Sequence, residues 1–135
     1  MNYYGKLDVP FVSKNWGHEL WFDNNEKYCG KLLYFVKNKK CSLHYHLIKQ
    51  ESFVVHSGKI ELWWHDDIKM IENHIKTNKK DTLYNILERV ILEPGDVFRI
   101  QPGRVHQMVA LETTELFEFS TQHFESDSYR LLKGD

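Results

Sequence analysis

The sequence predicts an all-β sandwich or barrel, because it combines many short apolar runs, little helical periodicity and regularly spaced turn residues. β-branched and aromatic residues dominate each run, and Gly, Pro, Asn, Asp or Lys-rich breaks bound it. Many short strands at this spacing are typical of sandwiches and barrels. The predicted strands cover residues 31–37, 52–56, 59–64, 86–92, 97–101, 104–110 and 115–120.

Turn residues separate these predicted strands. Ser57-Gly58 joins two runs as a hairpin, and Pro94-Gly95-Asp96 and Pro102-Gly103 separate later runs. Residues 65–85 differ from the rest, because they are polar and lysine-rich with weak periodicity. We expect this stretch to form a long excursion between two strands, with one helical turn.

The composition predicts one soluble globular domain. A chain of 135 residues has room for one hydrophobic core, so we expect a single domain over residues 1–135. Its core should cover about residues 29–121, with an N-terminal extension and a short C-terminal tail. A net charge of −1 with interspersed charges argues against nucleic acid or an anionic membrane as partner. The sequence shows neither a signal peptide nor an apolar membrane span. Two cysteines are too few for a disulfide framework, which favours reduced thiols in a cytoplasmic protein.

A first group of candidate metal ligands lies in residues 41–51, CSLHYHLIKQE. Side chains two apart in a strand share a face, so His44 and His46 can point the same way. Glu51 follows at an odd offset and would face the opposite side of an unbroken strand. A turn over residues 47–50 would return Glu51 to the same face at the start of the next strand.

A second segment supplies one more candidate ligand. The Pro102-Gly103 turn leads into a strand that carries His106. Three imidazoles and a carboxylate form a nitrogen and oxygen site suited to one divalent ion of Zn, Mn, Fe, Ni or Co. Four protein ligands leave positions open for water or substrate, as in catalytic sites. We interpret the remaining histidines as core or surface residues: His18, His56, His65, His74 and His123.

The two segments resemble the two motifs of the cupin superfamily. The first reads His44-x-His46-x4-Glu51-x6-Gly58, and the second reads Gly95-x6-Pro102-Gly103-x2-His106. The family pattern has Pro-x-Gly where this chain has Pro102-Gly103 directly. The resemblance implies a cupin-type double-stranded β-helix, a jelly-roll barrel, that binds its metal through the four motif residues.

A narrower resemblance extends towards both ends of the chain. Several short segments are similar to the cupin domain of type II mannose-6-phosphate isomerases, which implies a metal-dependent sugar-phosphate isomerase or epimerase. Asn15 replaces the usual proline, and His44 stands where those isomerases commonly have glutamine. The similar segments are residues 15–19 (NWGHE), 28–33 (YCGKLL), 42–46 (SLHYH), 118–121 (EFST) and 127–131 (DSYRL).

Aldose–ketose isomerisation needs a Lewis acid and a base that moves a proton between adjacent carbons. We predict Glu118 as that base, with a pKa raised by the cavity, although strand alternation cannot choose between Glu118 and Phe119 as the inward residue. Lys31 is a second catalytic candidate. Arg104 and Arg130 could hold a phosphate together with Lys31. Trp63 and Trp64 are adjacent and must point to opposite faces, so the inward one, for which we choose Trp64, either forms a stacking wall for a sugar ring or fills the core.

Three function classes stay open at this point. The first is the sugar-phosphate isomerase or epimerase. The second is an Fe(II)-dependent dioxygenase or a metal-dependent lyase that acts on a small organic acid. The third is a non-catalytic, metal-assisted module that binds a carbohydrate. A small-molecule partner, a sugar or sugar phosphate, suits the first and third classes, and aromatic-rich edge strands predict a homodimer.

Overall fold

The computed structural model describes residues 8–77 and 80–135 and confirms the all-β prediction. Its strands form two antiparallel sheets whose inner faces share a core, as in a jelly-roll barrel. The strands, in chain order, are β1 (Phe11–Lys14), β2 (Gly17–Asn24), β3 (Cys29–Phe35), β4 (Leu43–Tyr45), β5 (Glu51–Ser57), β6 (Ile60–His65), β7 (Glu88–Leu92), β8 (Val97–Ile100), β9 (Val105–Ala110), β10 (Thr114–Ser120) and β11 (Tyr129–Leu132).

The inner faces of the two sheets meet in one apolar core. The larger sheet has the order β1-β2-β3-β10-β5-β8, and the smaller has the order β11-β4-β9-β6-β7. Residues alternate between buried and partly exposed along β5 and β10, as a sheet with one covered face requires. The most deeply buried core side chains come from both sheets and include Phe35, Phe53, Ile60, Leu62 and Leu116.

Both ends of the chain contribute strands beyond the predicted core of residues 29–121. In the larger sheet, β1 pairs with β2, and β2 pairs with β3. Trp16, in the turn between β1 and β2, stacks on Phe35 with ring centroids 4.1 Å apart. At the other end, β11 pairs with β4, and Arg130 lies opposite His44.

The predicted turn at Ser57-Gly58 connects β5 to β6 and depends on the glycine. Gly58 has a φ of 94°, which favours a residue without Cβ. A Cβ at this position would also collide with the backbone carbonyl of Thr113. The predicted Pro102-Gly103 turn precedes β9, and the Gly103 N–H donates to the His46 carbonyl at 2.7 Å. This second turn therefore ties the two ligand-bearing segments together.

The excursion over residues 65–85 contains more helix than the one turn expected. It forms α1 (Ile68–Lys76) and α2 (Lys80–Leu83). The Asp67 side chain caps α1 by accepting from the Met70 N–H at 3.0 Å. A second apolar cluster, which contains Ile71, Leu83 and the partly buried Trp63, packs the helices on the outer face of the smaller sheet. No helix in the described parts of the chain has the length and apolar character to cross a membrane.

Candidate metal centre and active site

A cavity of about 380 Å³ opens at one end of the barrel. Its volume lies within the range of small-molecule sites. Four strands, three of the larger sheet and one of the smaller, each direct one polar side chain into it, and each of these side chains is at most 4% exposed. They are Lys31 on β3, Glu51 on β5, His106 on β9 and Glu118 on β10.

Three histidines converge on the floor of this cavity. His44, His46 and His106 each bring one ring nitrogen within 4.8 Å of the other two. Each Nδ1 atom lies close to a backbone carbonyl oxygen. Because a carbonyl oxygen can only accept, each Nδ1 donates a proton and each Nε2 presents its lone pair. The three contacts are His44 to Ser42 at 3.0 Å, His46 to Asp127 at 2.9 Å and His106 to Arg104 at 3.0 Å.

Burial keeps these imidazoles neutral. Burial, with a further contribution from His46, lowers the pKa of His44 to about 3. Burial is also the main reason why the pKa values of His46 and His106 lie below that of free histidine. A neutral imidazole with its Nε2 lone pair free is the form that binds a metal ion.

Glu51 reaches the histidines because the chain turns between β4 and β5, as the sequence predicts. The Asp127 carboxylate holds that turn by accepting from the N–H groups of Leu47, Ile48 and Lys49 at 2.9–3.3 Å. The turn starts β5 with Glu51 facing inward, and Glu51 Oε2 lies 3.4 Å from His46 Nε2. One buried aspartate therefore stabilises the turn from which Glu51 enters the cavity.

The polar atoms of this cluster fit a divalent metal ion. Among the described residues, Glu51 Oε2 and His106 Nε2 are buried without a hydrogen-bond partner. Such atoms are costly unless something binds them, and a cation would satisfy both. Burial and the nearby Glu118 carboxylate raise the pKa of Glu51, which a bound cation would offset. Three nitrogen donors and one carboxylate suit Zn, Mn, Fe, Ni or Co.

Glu118 faces the cavity, while Phe119 is 57% exposed on the outer face. The Glu118 Oε2 atom lies 2.6 Å from the Lys49 ammonium. Burial by itself would raise the pKa of Glu118, but Lys49 and Lys31 together lower it. The prediction that Glu118 points inward is therefore confirmed, whereas the prediction of a raised pKa is wrong, because two cations lie beside the carboxylate.

Lys31 lies deep in the same cavity and is 3% exposed. Its Nζ atom lies 3.8 Å from Glu19 Oε1 and 4.1 Å from the centre of the Trp21 ring. The Trp21 Nε1–H donates to Glu19 at 2.8 Å. These contacts place the ammonium of Lys31 on the wall of the cavity next to Glu118, its partner in the β3–β10 ladder.

Three cavity residues were missed by the sequence reasoning. Lys49 lies in the turn before β5, where strand alternation gives no direction to a side chain. Glu19 lies on β2, outside the predicted core. His123, interpreted as a core or surface residue, lines the cavity with Nδ1 3.2 Å from Lys49 Nζ. Glu19 and Asp127 lie in segments that resemble the cupin domain of type II mannose-6-phosphate isomerases, but the roles of these two carboxylates follow only from their tertiary contacts.

The structure does not bring Arg104 and Trp64 to the cavity. Arg104 donates to both carboxylate oxygens of Asp66, at 2.8 and 3.0 Å, and lies over the Trp64 ring at 4.4 Å. Trp64 faces inward but packs against the apolar core. Arg130, by contrast, lines the mouth of the cavity. Of the residues predicted to contact substrate, Lys31 and Arg130 therefore line the cavity, whereas Arg104 and Trp64 do not.

A family model for D-lyxose isomerases matches residues 11–127 of the chain. The chain belongs to the D-lyxose isomerase family. Two relatives are a D-lyxose/D-mannose isomerase of Thermosediminibacter oceani and a D-lyxose ketol-isomerase of a Thermofilum species. The first is 26% identical over 81% of this chain and 64% of its own length, and the second is 26% identical over 78% and 63%. The chain thus spans less than two thirds of the length of these curated relatives.

Three solved structures of other proteins have a fold similar to that of this chain. The capsular polysaccharide assembling protein CapF from Staphylococcus aureus matches 94% of this chain over 33% of its own, with a TM-score of 0.71 and 16% identity. KdgF from a Halomonas species matches 93% of this chain over 97% of its own, with a TM-score of 0.68 and 14% identity. Oxalate decarboxylase from Bacillus subtilis matches 92% over 30%, with a TM-score of 0.71 and 15% identity. These likenesses confirm the predicted cupin jelly roll.

Proposed function

We propose that this chain forms the active site of a metal-dependent aldose–ketose isomerase that acts on D-lyxose, D-mannose or a closely related sugar. The observation that carries the proposal is the convergence, in one cavity, of three Nε2 lone pairs, the Glu51 carboxylate and the buried Lys49–Glu118 pair. Membership of the D-lyxose isomerase family favours isomerisation over the dioxygenase, the lyase and the carbohydrate-binding module.

In this proposal the metal is held by His44, His46, Glu51 and His106. When bound, it would supply Lewis-acid polarisation of the sugar oxygens. The Nδ1–carbonyl hydrogen bonds keep the three imidazoles oriented before the metal arrives, so little reorganisation is needed on binding.

Proton transfer is the part that this chain must supply by itself. Glu118 would take the proton from C2 of the open-chain aldose and return it to C1, while a proton moves from O2 to O1. The neighbouring Lys49 and Lys31 lower the pKa of Glu118, so the carboxylate is ionised and able to accept a proton at neutral pH. Lys31 and Lys49 would donate hydrogen bonds to the sugar oxygens as negative charge develops there.

The direct test is proton exchange at the sugar. Metal-loaded protein should convert D-lyxose and D-mannose to the corresponding 2-ketoses, with NMR detecting exchange at C1 and C2 in D2O. Glu118→Gln should lower kcat by about 100- to 10,000-fold without changing metal content, the range typical for loss of a general base. Glu115→Gln, on the same strand but on its other face, is the matched control and should change kcat by less than about twofold. Conversion at the parental rate by Glu118→Gln would place the base elsewhere, and no exchange with any aldose would reject the isomerase.

A narrower candidate is an isomerase of the mannose-6-phosphate type. The specific observation in its favour is the group of cationic side chains at the cavity mouth, which includes Arg130.

We also propose, from the sequence alone, a homodimer and a cytoplasmic location. Light scattering during size-exclusion chromatography tests the first, and a monomer at micromolar concentration would contradict it.

A further inference from the structure

His123, in the segment between β10 and β11, contacts one of the two lysines on the cavity wall. Its Nδ1 atom lies 3.2 Å from the ammonium of Lys49, which also lies 2.6 Å from the Glu118 carboxylate. The His123 side chain is 11% exposed, and all three residues line the cavity. The buried ammonium of Lys49 is therefore held between the His123 ring and the carboxylate that the proposed function assigns as the base.

Hydrogen-bond chemistry determines the tautomer of His123. An ammonium can only donate, so Nδ1 must present its lone pair to Lys49. The proton of the ring is then on Nε2, which donates to Glu125 Oε1 at 3.2 Å. The three histidines of the metal centre have the opposite tautomer, because their Nδ1 atoms donate to carbonyl oxygens. His123 therefore serves as a hydrogen-bond acceptor for Lys49.

The backbone around His123 is fixed from two sides. The Asn24 side chain on β2 accepts from the His123 N–H at 2.8 Å and donates to the His123 carbonyl at 3.1 Å. Nearby, the Gln50 N–H donates to Thr121 Oγ1 at 3.1 Å, and the Thr121 N–H donates to the Gln50 carbonyl at 3.0 Å. Gln50 directly follows Lys49 in the chain. The segments that carry the ring and the ammonium are therefore joined to each other.

The His123 ring also packs against the wall of the cavity. Trp21 contacts it edge to face, with ring centroids 5.4 Å apart, and the Lys31 ammonium lies 4.1 Å from the centre of the same Trp21 ring. The ion-pair partner of His123, Glu125, is 84% exposed, and exposed pairs contribute little. The orientation of the ring is therefore set mainly by packing and by the backbone contacts, as a supporting group in a site requires.

We propose that His123 is a positioning residue that holds the Lys49 ammonium beside Glu118 for proton transfer on the sugar. A lysine side chain is flexible, and its donors rotate, so one partner does not fix where they point. A second acceptor restricts the ammonium to the place where the sugar oxygens gain negative charge. The inference rests on the proposed isomerase function and adds a residue to its machinery. That charge develops on the way to the transition state, so loss of the acceptor should lower kcat more than it changes KM.

Two amide substitutions separate the acceptor from the rest of the ring. His123→Asn places its carbonyl oxygen near the position of Nδ1 and keeps an acceptor for Lys49, whereas His123→Gln places its amide near the position of Nε2. In isomerisation of D-lyxose or D-mannose by metal-loaded protein, His123→Gln should lower kcat about 10- to 100-fold, the cost of a misplaced catalytic group, with KM within about twofold. His123→Asn should keep most of the parental kcat.

His56→Gln is the matched control, because His56 is exposed on the outer face of β5. Its kcat and KM should equal those of the parent. Thermal unfolding checks that every variant is folded.

A second measurement reports the position of the ammonium without turnover. NMR of zinc-loaded protein with isotope-labelled lysine should show a slowly exchanging ammonium signal for Lys49, because its protons are buried and hydrogen-bonded. Lys49→Arg identifies the signal. His123→Gln should accelerate its exchange about tenfold or more, because local opening exposes the protons, and His123→Asn should not. Labelled histidine should show His123 with Nδ1 unprotonated.

Equal kcat values for His123→Asn and His123→Gln, or an unchanged Lys49 signal in His123→Gln, would overturn the proposal. A proton on Nδ1 of His123 would do the same. Failure of the proposed function has a different signature, since a parent protein that converts no aldose would reject the isomerase. The NMR comparison would then still decide whether His123 holds Lys49. Conversion of D-lyxose by the parent and by His123→Gln at the same rate would leave the isomerase intact and reject the role of His123.

Discussion

Four strands carry an apolar residue and a candidate site residue on the same inward face, only two positions apart. Two residues along a strand span about 6.6 Å, so an apolar layer and a chemically active layer lie directly on top of each other. Side chains of the apolar layer pack as a core, and side chains of the other layer are candidate metal ligands or charged groups. The pairs are Leu33 and Lys31 on β3, Phe53 and Glu51 on β5, Met108 and His106 on β9, and Leu116 and Glu118 on β10.

Stability and chemistry are separated by depth in the barrel rather than by secondary-structure element. The apolar layer gains free energy by burial of hydrocarbon. The polar layer buries lysines, carboxylates and imidazoles, which is costly unless each group has a partner. In this layer the lysines form ion pairs with carboxylates, and the histidines and Glu51 fit a metal ion. Substitutions in one layer should therefore leave the property of the other layer intact.

The largest effect should come from removing a histidine of the polar layer. His106→Ala should weaken metal binding more than 100-fold, because loss of a ligand costs more than the 10- to 100-fold loss typical of its supporting contacts. Metal titration and elemental analysis of the purified variant measure this. His56→Ala, an exposed histidine on the outer face of β5, is the control. Parental affinity in His106→Ala would remove His106 from the metal centre.

Removing a side chain of the apolar layer should instead lower stability and leave metal affinity unchanged. Leu116 is 0% exposed, so Leu116→Ala should lower the free energy of unfolding of the metal-free protein by about 3 kcal/mol, from lost burial and the cavity left behind. Its metal affinity at 10 °C should stay within about threefold of the parent. Chemical denaturation and metal titration together decide the point. A loss of metal affinity as large as that of His106→Ala would show that the two layers are coupled.

Asp127 should couple the two properties, because its carboxylate holds the turn that positions both His46 and Glu51. An asparagine can accept through only one oxygen, so Asp127→Asn should lower the free energy of unfolding by about 2 kcal/mol. It should also weaken metal binding by about 10- to 100-fold, the range for a group that supports ligands. Ser126→Ala, the exposed neighbour, is the control. Loss of stability with intact metal affinity would confine Asp127 to a structural role.

The smallest effect belongs to the Arg104–Asp66 pair, which lies outside both layers. The Asp66 side chain is 46% exposed, so Arg104→Gln should lower the free energy of unfolding by no more than about 1 kcal/mol at pH 7. The hydrogen bond from Arg104 lowers the pKa of Asp66 below its ordinary value of 3.8. A lowered folded-state pKa stabilises the protein above the unfolded pKa, and this contribution disappears as the pH falls through the folded pKa. The difference in the free energy of unfolding between the parent and Arg104→Gln should therefore shrink between pH 5 and pH 2 in denaturation experiments. A difference that stays constant with pH would show that the pair acts through packing.

Local spacing accounts for the parts of the site that the sequence predicted. The His44-x-His46 repeat and the turn before Glu51 need only strand periodicity and a break in it. The orientation of Glu118 was harder to predict, because strand alternation allows either Glu118 or Phe119 to face inward. Pairing of β10 with both β3 and β5 selects the register, since Leu116 must enter the core. Lys49 could not be predicted, because a turn gives its side chains no periodic direction.

The all-β class, the turn glycines and the four candidate ligands could be predicted from the sequence, because each is marked by a pattern that spans only a few residues. Which other groups those ligands contact follows only from the tertiary structure. Asp127 contacts the 47–49 turn across about eighty residues of chain, and Lys49 contacts Glu118 across about seventy. Arg104, predicted to hold substrate, is instead held by Asp66. Long-range partners follow from the order of strands in a sheet, and that order is a property of how the whole core packs rather than of any local pattern.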